Sequence, residues 1–371
     1  MPRVVIVIIF IVLHVTSFAQ VSPLEAYSLL DPIYSNFTTA DGLPQAYVAC
    51  VVQDQYGFMW VGTLAGLARF DGNEFRKFTN TTEGSSQLST PRIMDLWFDG
   101  VDKLWIMHFN HRVDVMDTKT YVVTQNVNPI KTAYFDSFPL SVSSKSSTHR
   151  YFTVDRRENN WLLKVQDQYL LYDSTNTKMR KIFDQIGPPR SIIHAFEEDE
   201  LGRMWKLTDQ GLQVSDQYWE NFKQINFPMV LGLKNEYHYN KSILIRLPRD
   251  RMLFALGQRL FIYDEGVEIF REIHLPKIDA VVEAQLLQFT FDGENRFVFE
   301  YRGFVCRLED DESVSVIWEH PERDKFLIAD LYIDQSEVLW VSVNSGGLYT
   351  VDLLTQSQKL LILTGRIMGF L

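Results

Sequence analysis

Tyr134, Phe135 and Phe138 sit in a Ser-rich stretch, residues 126–150. Exposed aromatics among polar groups are the residue types that stack a flat apolar ring face, as a sugar presents. Trp219, Tyr237 and Tyr239, at expected turn tips, are of the same kind. These six are the expected ligand-binding residues, set against the plainer reading of ordinary variable loops. The acidic runs Glu197–Glu200 and Glu309–Glu312 have oxygens enough for calcium, but both fall at turns and read as solvated. His108 and His111 are the closest pair among eight histidines. In a strand-and-turn setting that spacing does not bring two rings to one metal, so both read as solvated turn residues and no metal is expected. Two carboxylates can hydrolyse a glycosidic bond, yet no pair stands out among 47 acids. No Gly-rich phosphate loop, Cys-pair zinc motif or Ser elbow occurs, so no catalytic residue and no cofactor are expected.

The elements that would position such residues follow from a repeat. Asp54 stands six residues before Trp60, and the spacing recurs in Asp99 and Trp105, Asp155 and Trp161, Asp199 and Trp205, and Asp334 and Trp340. Each Asp follows an apolar run, each Trp opens a second, and a third commonly ends in Asp, as at Asp71. Two degenerate copies, Ile243–Asp264 and Leu286–Leu308, carry Phe254 and Phe297 with Phe299 near the Trp position. The seven repeats lie near 48–72, 93–117, 151–173, 193–215, 243–264, 286–308 and 327–352. The runs are short and rich in Val, Ile, Phe and Tyr, with turn signals between them, which predicts strands rather than helices. Asp-x-x-Gly suits a hairpin, because Asp bonds its own backbone and Gly accepts positive φ. A lone four-stranded unit cannot cover both its faces; radial packing against two neighbours does. The fold class is therefore all-β, a seven-bladed β-propeller of four-stranded antiparallel blades. Asp54, Gly57, Trp60, Gly62, Thr63, Gly66 and their equivalents read as scaffold, with the Trp in the seams. The alternative architecture, a linear solenoid, uses much shorter repeats.

Residues 1–19 read as a signal peptide: Arg3, an apolar run from Val4 to Val15, then Ser17-Phe18-Ala19 before Gln20. Residues 20–371 are expected to form the one propeller, with no membrane span. Net charge is −11, which argues against nucleic acid or an anionic membrane as partner. Cys50 and Cys306 lie far apart in apolar runs and read as separate buried thiols rather than a disulfide. Two segments compete for the outer edge of the last repeat. Tyr34–Thr38 aligns with Phe75–Thr79 after the first repeat, and Lys359–Leu363 also reads as an outer strand. The expectation is that Tyr34–Thr38 closes the ring.

The first repeat, with Asp41-Gly42-Leu43-Pro44, Val48–Asp54, Gly57, Trp60-Val61-Gly62-Thr63 and Gly66-Leu67 to Phe70-Asp71-Gly72, resembles the two-component-regulator propeller repeat. The likeness is good around Trp340 and Gly346-Gly347-Leu348 and weak in the third, fifth and sixth repeats. It implies the periplasmic sensor region of a hybrid two-component system, common in the Bacteroidetes, truncated before the membrane and kinase parts. It also implies that the chain is not an enzyme and that an oligosaccharide released from a glycan, or another small ligand, is its partner. A homodimer stays open. The alternatives are a propeller hydrolase or lyase acting on glycans and a protein-interaction scaffold. Sialidase-type propellers have a similar turn, but they need three converging arginines, and convergence is not legible in sequence.

Overall fold

The computed structural model describes residues 34–353 except 99, 111, 126–151, 156–159, 166–167, 174–177, 185–192, 200, 209–210, 217–220, 227–242, 248, 257–258, 279–287, 293 and 295. Across 152–194, and at 196, 198, 226 and 256, it describes the backbone. The described secondary structure is strand, apart from two short 3-10 turns, Thr39–Asp41 and Gly84–Ser86. The strands form seven four-stranded antiparallel sheets.

Six sheets are simple meanders of consecutive strands. The first is Val48–Gln53, Met59–Thr63, Gly66–Phe70 and Phe75–Phe78. The second runs from Ile93–Phe98 to Val123–Thr124, the third from Phe152–Asp155 to Lys178–Asp184, and the fourth from Ile193–Glu198 to Phe222–Asn226. The fifth runs from Ile243–Leu247 to Ile269–Ile273 and the sixth from Phe289–Phe291 to Val314–Glu319. The seventh takes Ile328–Ile333, Val338–Val343 and Gly347–Asp352 from one end of the chain and Tyr34–Phe37 from the other. Tyr34 pairs with Val351 and Phe37 with Leu348. The competition for that outer edge is thus decided for the N-terminal strand; Lys359–Leu363 lies outside the described residues.

Burial explains why the middle strands are almost continuously apolar. Met59–Thr63 and Met204–Thr208 are buried at every position, whereas the outer strand Phe75–Phe78 is exposed at its centre. A strand covered on both faces loses the usual in-and-out alternation. Each hydrophobic cluster is built from two consecutive sheets: Trp60 with Ile106, Trp205 with Phe254, Leu253 with Phe299, Val305 with Val341. The seventh sheet meets the first through Trp340, Leu348, Val61 and Phe70. Asp330 Oδ2 accepts the Val51 backbone N–H at 3.0 Å, and Gln53 Oε1 accepts that of Gln335 at 3.0 Å, across the same seam. The close approach of the first two sheets requires Gly62, where a Cβ would lie 2.5 Å from Cys50 Sγ and 2.7 Å from Ile93 Cγ2.

In four sheets the first strand carries a register shift at its second residue: Val48/Cys50, Ile93/Asp95, Ile193/Ala195 and Ile328/Asp330. A bulge there bends the inner strand and re-aims the residues that follow. Cys50 and Cys306 are free and buried, and burial pushes both thiols up. No helix among the described residues is long and apolar enough to cross a membrane.

Candidate functional site

The repeated aspartates come first, because their spacing drew attention to them. Asp54 is 1% exposed. Its Oδ1 accepts the backbone N–H groups of Tyr56 at 2.8 Å and Phe58 at 3.1 Å, and its Oδ2 accepts Trp60 Nε1–H at 2.8 Å. Asp334 repeats the set on Ser336, Val338 and Trp340 at 2.8, 3.0 and 2.8 Å. Asp199 does so on Leu201, Arg203 and Trp205 at 3.0, 2.9 and 2.9 Å. Asp292 heads the sixth sheet, which lacks the Trp. Its Oδ1 takes the N–H groups of Glu294 and Arg296 at 3.1 and 2.9 Å, and its Oδ2 takes Arg296 Nε at 2.8 Å. Arg203 makes the same Nε contact to Asp199 Oδ2, at 2.7 Å, beside the indole of Trp205. Both oxygens of each carboxylate are engaged inside the turn, which leaves little for a ligand.

The other repeat positions also look inward. Thr63 Oγ1 donates to the Gly66 carbonyl at 2.8 Å, and Thr208 does the same to Gly211 at 2.9 Å. Asp71 Oδ1 accepts the N–H groups of Asn73 and Glu74, both at 3.0 Å, and these bonds hold its carboxyl below the usual range. Trp60, Trp205 and Trp340 are buried in seams, while Trp105 is half-buried and meets Trp97 edge-on. Asp155 and Trp161 are placed in the third sheet by backbone, paired with Asn160 and Val154. Asp99 lies outside the described residues.

His108 corrects its reading as a solvated turn residue. It ends a strand and is fully buried, with Nε2 at 2.9 Å from Asp114 Oδ2, which also accepts the Ser89 N–H at 2.7 Å. The pair ties the connection before the second sheet to that sheet's second hairpin. His111 lies outside the described residues.

Antiparallel meanders put the first and third hairpins of every sheet at one end, here the turn end. The second hairpins and the sheet-to-sheet connections lie at the other, the connection end. Tyr134, Phe135 and Phe138 fall in the connection from the second sheet to the third, and Tyr237 and Tyr239 in that from the fourth to the fifth. Trp219 falls in the third hairpin of the fourth sheet, at the opposite end. All six lie outside the described residues.

Among the described residues a cleft of about 330 Å³ opens at the turn end between the fifth and sixth sheets, lined by Arg249, Arg251, Asp264, Arg271, Asp310, Asp311 and Glu312. Glu312 is its centre. Arg271 donates Nε to Glu312 Oε2 at 2.8 Å and Nη2 to Oε1 at 2.7 Å, and Arg251 adds Nη1 at 3.2 Å. The Arg271 guanidinium holds the Glu312 carboxyl below its ordinary range. A general acid needs the opposite shift, so Glu312 is unsuited to protonate a leaving group at neutral pH. Arg249 and Asp310 are exposed at the rim. The arrangement can take a polar or charged ligand, with guanidinium N–H groups for carboxylates and Asp310 for hydroxyls. The run Glu309–Glu312, read from sequence as a solvated turn, supplies its acidic side, and Glu312 is half-buried and held by arginines rather than solvated; the three arginines, spaced over two hairpins, carry no signal until the hairpins pair.

Similar arginine contacts recur along the turn end. Arg203 grips Glu265 of the next sheet through two bonds of 2.8 and 2.6 Å. Arg69 donates to the Tyr121 hydroxyl of the second sheet. Such forked contacts set one sheet against the next.

Comparison with known proteins agrees with this geometry. Residues 42–65, which run from the Gly42 turn into the first sheet's second hairpin, match the family model "Two component regulator propeller". A histidine kinase from Formosa agariphila, "Histidine kinase P4", is 42% identical over 57 residues, which are 15% of this chain and 4% of the kinase. Two extracellular domains from B. thetaiotaomicron share the fold. One, from a protein assigned as a one component system, superposes with a TM-score of 0.60 at 17% identity over 85% of this chain and 39% of that one. The other, assigned to a hybrid two component system, gives 0.61 at 15% over 86% and 42%. A virginiamycin B lyase from Staphylococcus aureus gives 0.58 at 9% identity over 87% of this chain and 99% of the lyase. The chain thus spans less than half of the sensor-type relatives it matches. The architecture is a β-propeller, and it carries the two-component-regulator propeller repeat.

Proposed function

Proceeding from a β-propeller with that repeat in its first sheet, we propose that this chain is the ligand-sensing part of a hybrid two-component signalling system. Its seven sheets close into one seven-bladed ring, with Tyr34–Phe37 as the last strand. It is exported behind the signal peptide, works in the periplasm, and binds a glycan-derived oligosaccharide without turning it over. The phosphotransfer step belongs to a kinase region outside this chain. The observation that carries the reading is the match at residues 42–65, reinforced by 42% identity to a histidine kinase across 57 residues. The turn geometry adds support. The conspicuous carboxylates are committed to backbone and indole, and Glu312 is held ionised, so the repeat offers a rigid frame rather than a reacting pair. Loops on a rigid frame are where binding residues gather. The connections holding Tyr134, Phe135, Phe138, Tyr237 and Tyr239 are the first place to look, and the Arg249–Glu312 cleft is the second.

The test is a panel of oligosaccharides scored by melting temperature, with the sugars chromatographed afterwards. Sensing predicts that one sugar class raises the melting temperature in proportion to the logarithm of its concentration and is recovered intact. Release of a shorter sugar would overturn the reading in favour of a glycan-cleaving enzyme. A flat panel would favour a protein-interaction scaffold.

A further inference from the structure

Arg69 and Arg76 stand directly opposite each other in the first sheet, on the paired strands Gly66–Phe70 and Phe75–Phe78. Two like charges in that position destabilise a sheet. Little on the chain relieves them. Arg69 reaches Asp71 only at 3.9 Å, and the other oxygen of Asp71 is taken by the N–H groups of Asn73 and Glu74. The Nε of Arg69 is buried without a hydrogen-bond partner. Arg76 is exposed and forms no ion pair among the described residues.

Both guanidiniums lie instead over one ring. Tyr121, in the third hairpin of the second sheet, has Arg76 Cζ 4.3 Å and Arg69 Cζ 5.4 Å from its ring centroid. Phe78 and Phe58 back the same two cations at 5.2 and 4.2 Å. Arg69 Nη1 donates to the Tyr121 hydroxyl oxygen, which leaves the phenol proton to donate outward. Tyr121 is the one aromatic among the described non-glycine residues with positive φ, at 60°. A bulky side chain enters that region at a cost, and such outliers gather at ligand clamps. The hairpin that supplies Phe58 also presents Tyr56, 52% exposed, at the same turn end. Forked cations suit a carboxylate or sulfate, and an exposed ring suits the flat face of a sugar.

We propose that Arg69, Arg76 and the Tyr121 hydroxyl form a clamp for the carboxylate or sulfate group of an acidic oligosaccharide. The proposal rests on the reading of this propeller as a sugar sensor and names the class of sugar. A bound anion neutralises the opposed arginines. It also bridges the first and second sheets, so occupancy tightens that seam.

Isothermal titration of the full chain tests it, with an oligogalacturonide, a sulfated galactan oligosaccharide and neutral cellotetraose as probes. The two acidic probes tell carboxylate from sulfate. The proteins compared are the unaltered chain, Arg76→Gln and Lys77→Gln. Lys77 is exposed and, one residue along the strand, points to the opposite face, so its variant controls for net charge. The clamp predicts that an acidic probe binds, that Arg76→Gln weakens it about ten-fold and that Lys77→Gln changes it by less than about two-fold. Without sugar, Arg76→Gln should melt no lower than the unaltered chain, because a repelling partner is gone. Acidic probes that bind Arg76→Gln equally well would overturn the clamp and leave the sensor reading standing, as would binding of cellotetraose alone. A lower melting temperature with unchanged binding would make Arg76 a lock between sheets and overturn it too. Binding of none of the three probes would overturn the clamp together with the sugar reading.

Discussion

In the hairpin that opens the first sheet, Asp54 commits both carboxylate oxygens to its own turn and to Trp60, six residues on. That is why the pair was legible in sequence: a bond between two residues of one hairpin needs a fixed offset. The arginine contacts to the same carboxylates, Arg203 to Asp199 and Arg296 to Asp292, were not legible, because only two of the repeats carry an arginine four residues after the Asp. Asp54→Ala strands an indole N–H and two backbone donors in a buried place. It should cost about 3 kcal/mol in urea unfolding. Asp71→Ala, whose partners are exposed, should cost under about 1 kcal/mol. Equal costs would remove the distinction between clamp and surface turn. A backbone corollary sits at Glu337, which takes the positive-φ place (φ 59°) that Gly57 (φ 85°) holds in the first sheet. Glu337→Gly should gain about 0.5 kcal/mol and Gly57→Ala lose about 1 kcal/mol, by the same melts. His320 gives a pH prediction. It is buried against Trp318 and Tyr349 and accepts the Glu322 N–H at its Nδ1, 3.0 Å away. Burial lowers its pKa, partly offset by Glu322, so the unfolded chain binds the proton more readily. Stability should therefore be full above the unfolded value near 6.5 and fall as pH drops through it. Comparing urea unfolding at pH 7.5 and 5.5, the His320→Gln protein should show a smaller fall; an identical fall would place the sensitivity elsewhere.

At the scale of elements, the closing strand bears the most weight for its length. Four residues pair with Gly347–Asp352, and Phe37 meets Phe70, Phe75 and Trp340 at ring-centroid distances of 5.0, 5.5 and 6.3 Å. Without it, the seventh sheet has a bare edge and its seam with the first sheet opens. Deleting residues 21–40 should lower the melting temperature by about 10 °C or more, whereas ending the chain after Leu353 should shift it far less. The reverse order would return the outer edge to Lys359–Leu363. This strand was legible because Tyr34–Thr38 mirrors Phe75–Thr79. The bulges at Ala49, Met94, His194 and Ala329 were not, since an extra residue in a short apolar run leaves the run apolar. The arginine contacts between sheets were equally hidden: Arg203 and Glu265 are 62 residues apart and meet only when neighbouring hairpins align.

For the whole molecule, the strand order was readable because every repeat must solve the same problem, two faces to bury and a turn to make. A ligand site has no such repetition. The six aromatic candidates fall in connections and a hairpin outside the described residues, and the cleft around Glu312 arises from tertiary pairing alone. The frame was therefore legible and its cargo was not. The central claim is that this frame binds an oligosaccharide and leaves it unchanged. Equilibrium dialysis against a mixed pool of glycan-derived oligosaccharides, read by mass spectrometry, tests it most directly. The account predicts that one sugar class concentrates on the protein side with its mass unaltered. A pool that distributes evenly, or one in which new and shorter sugars appear, would contradict it.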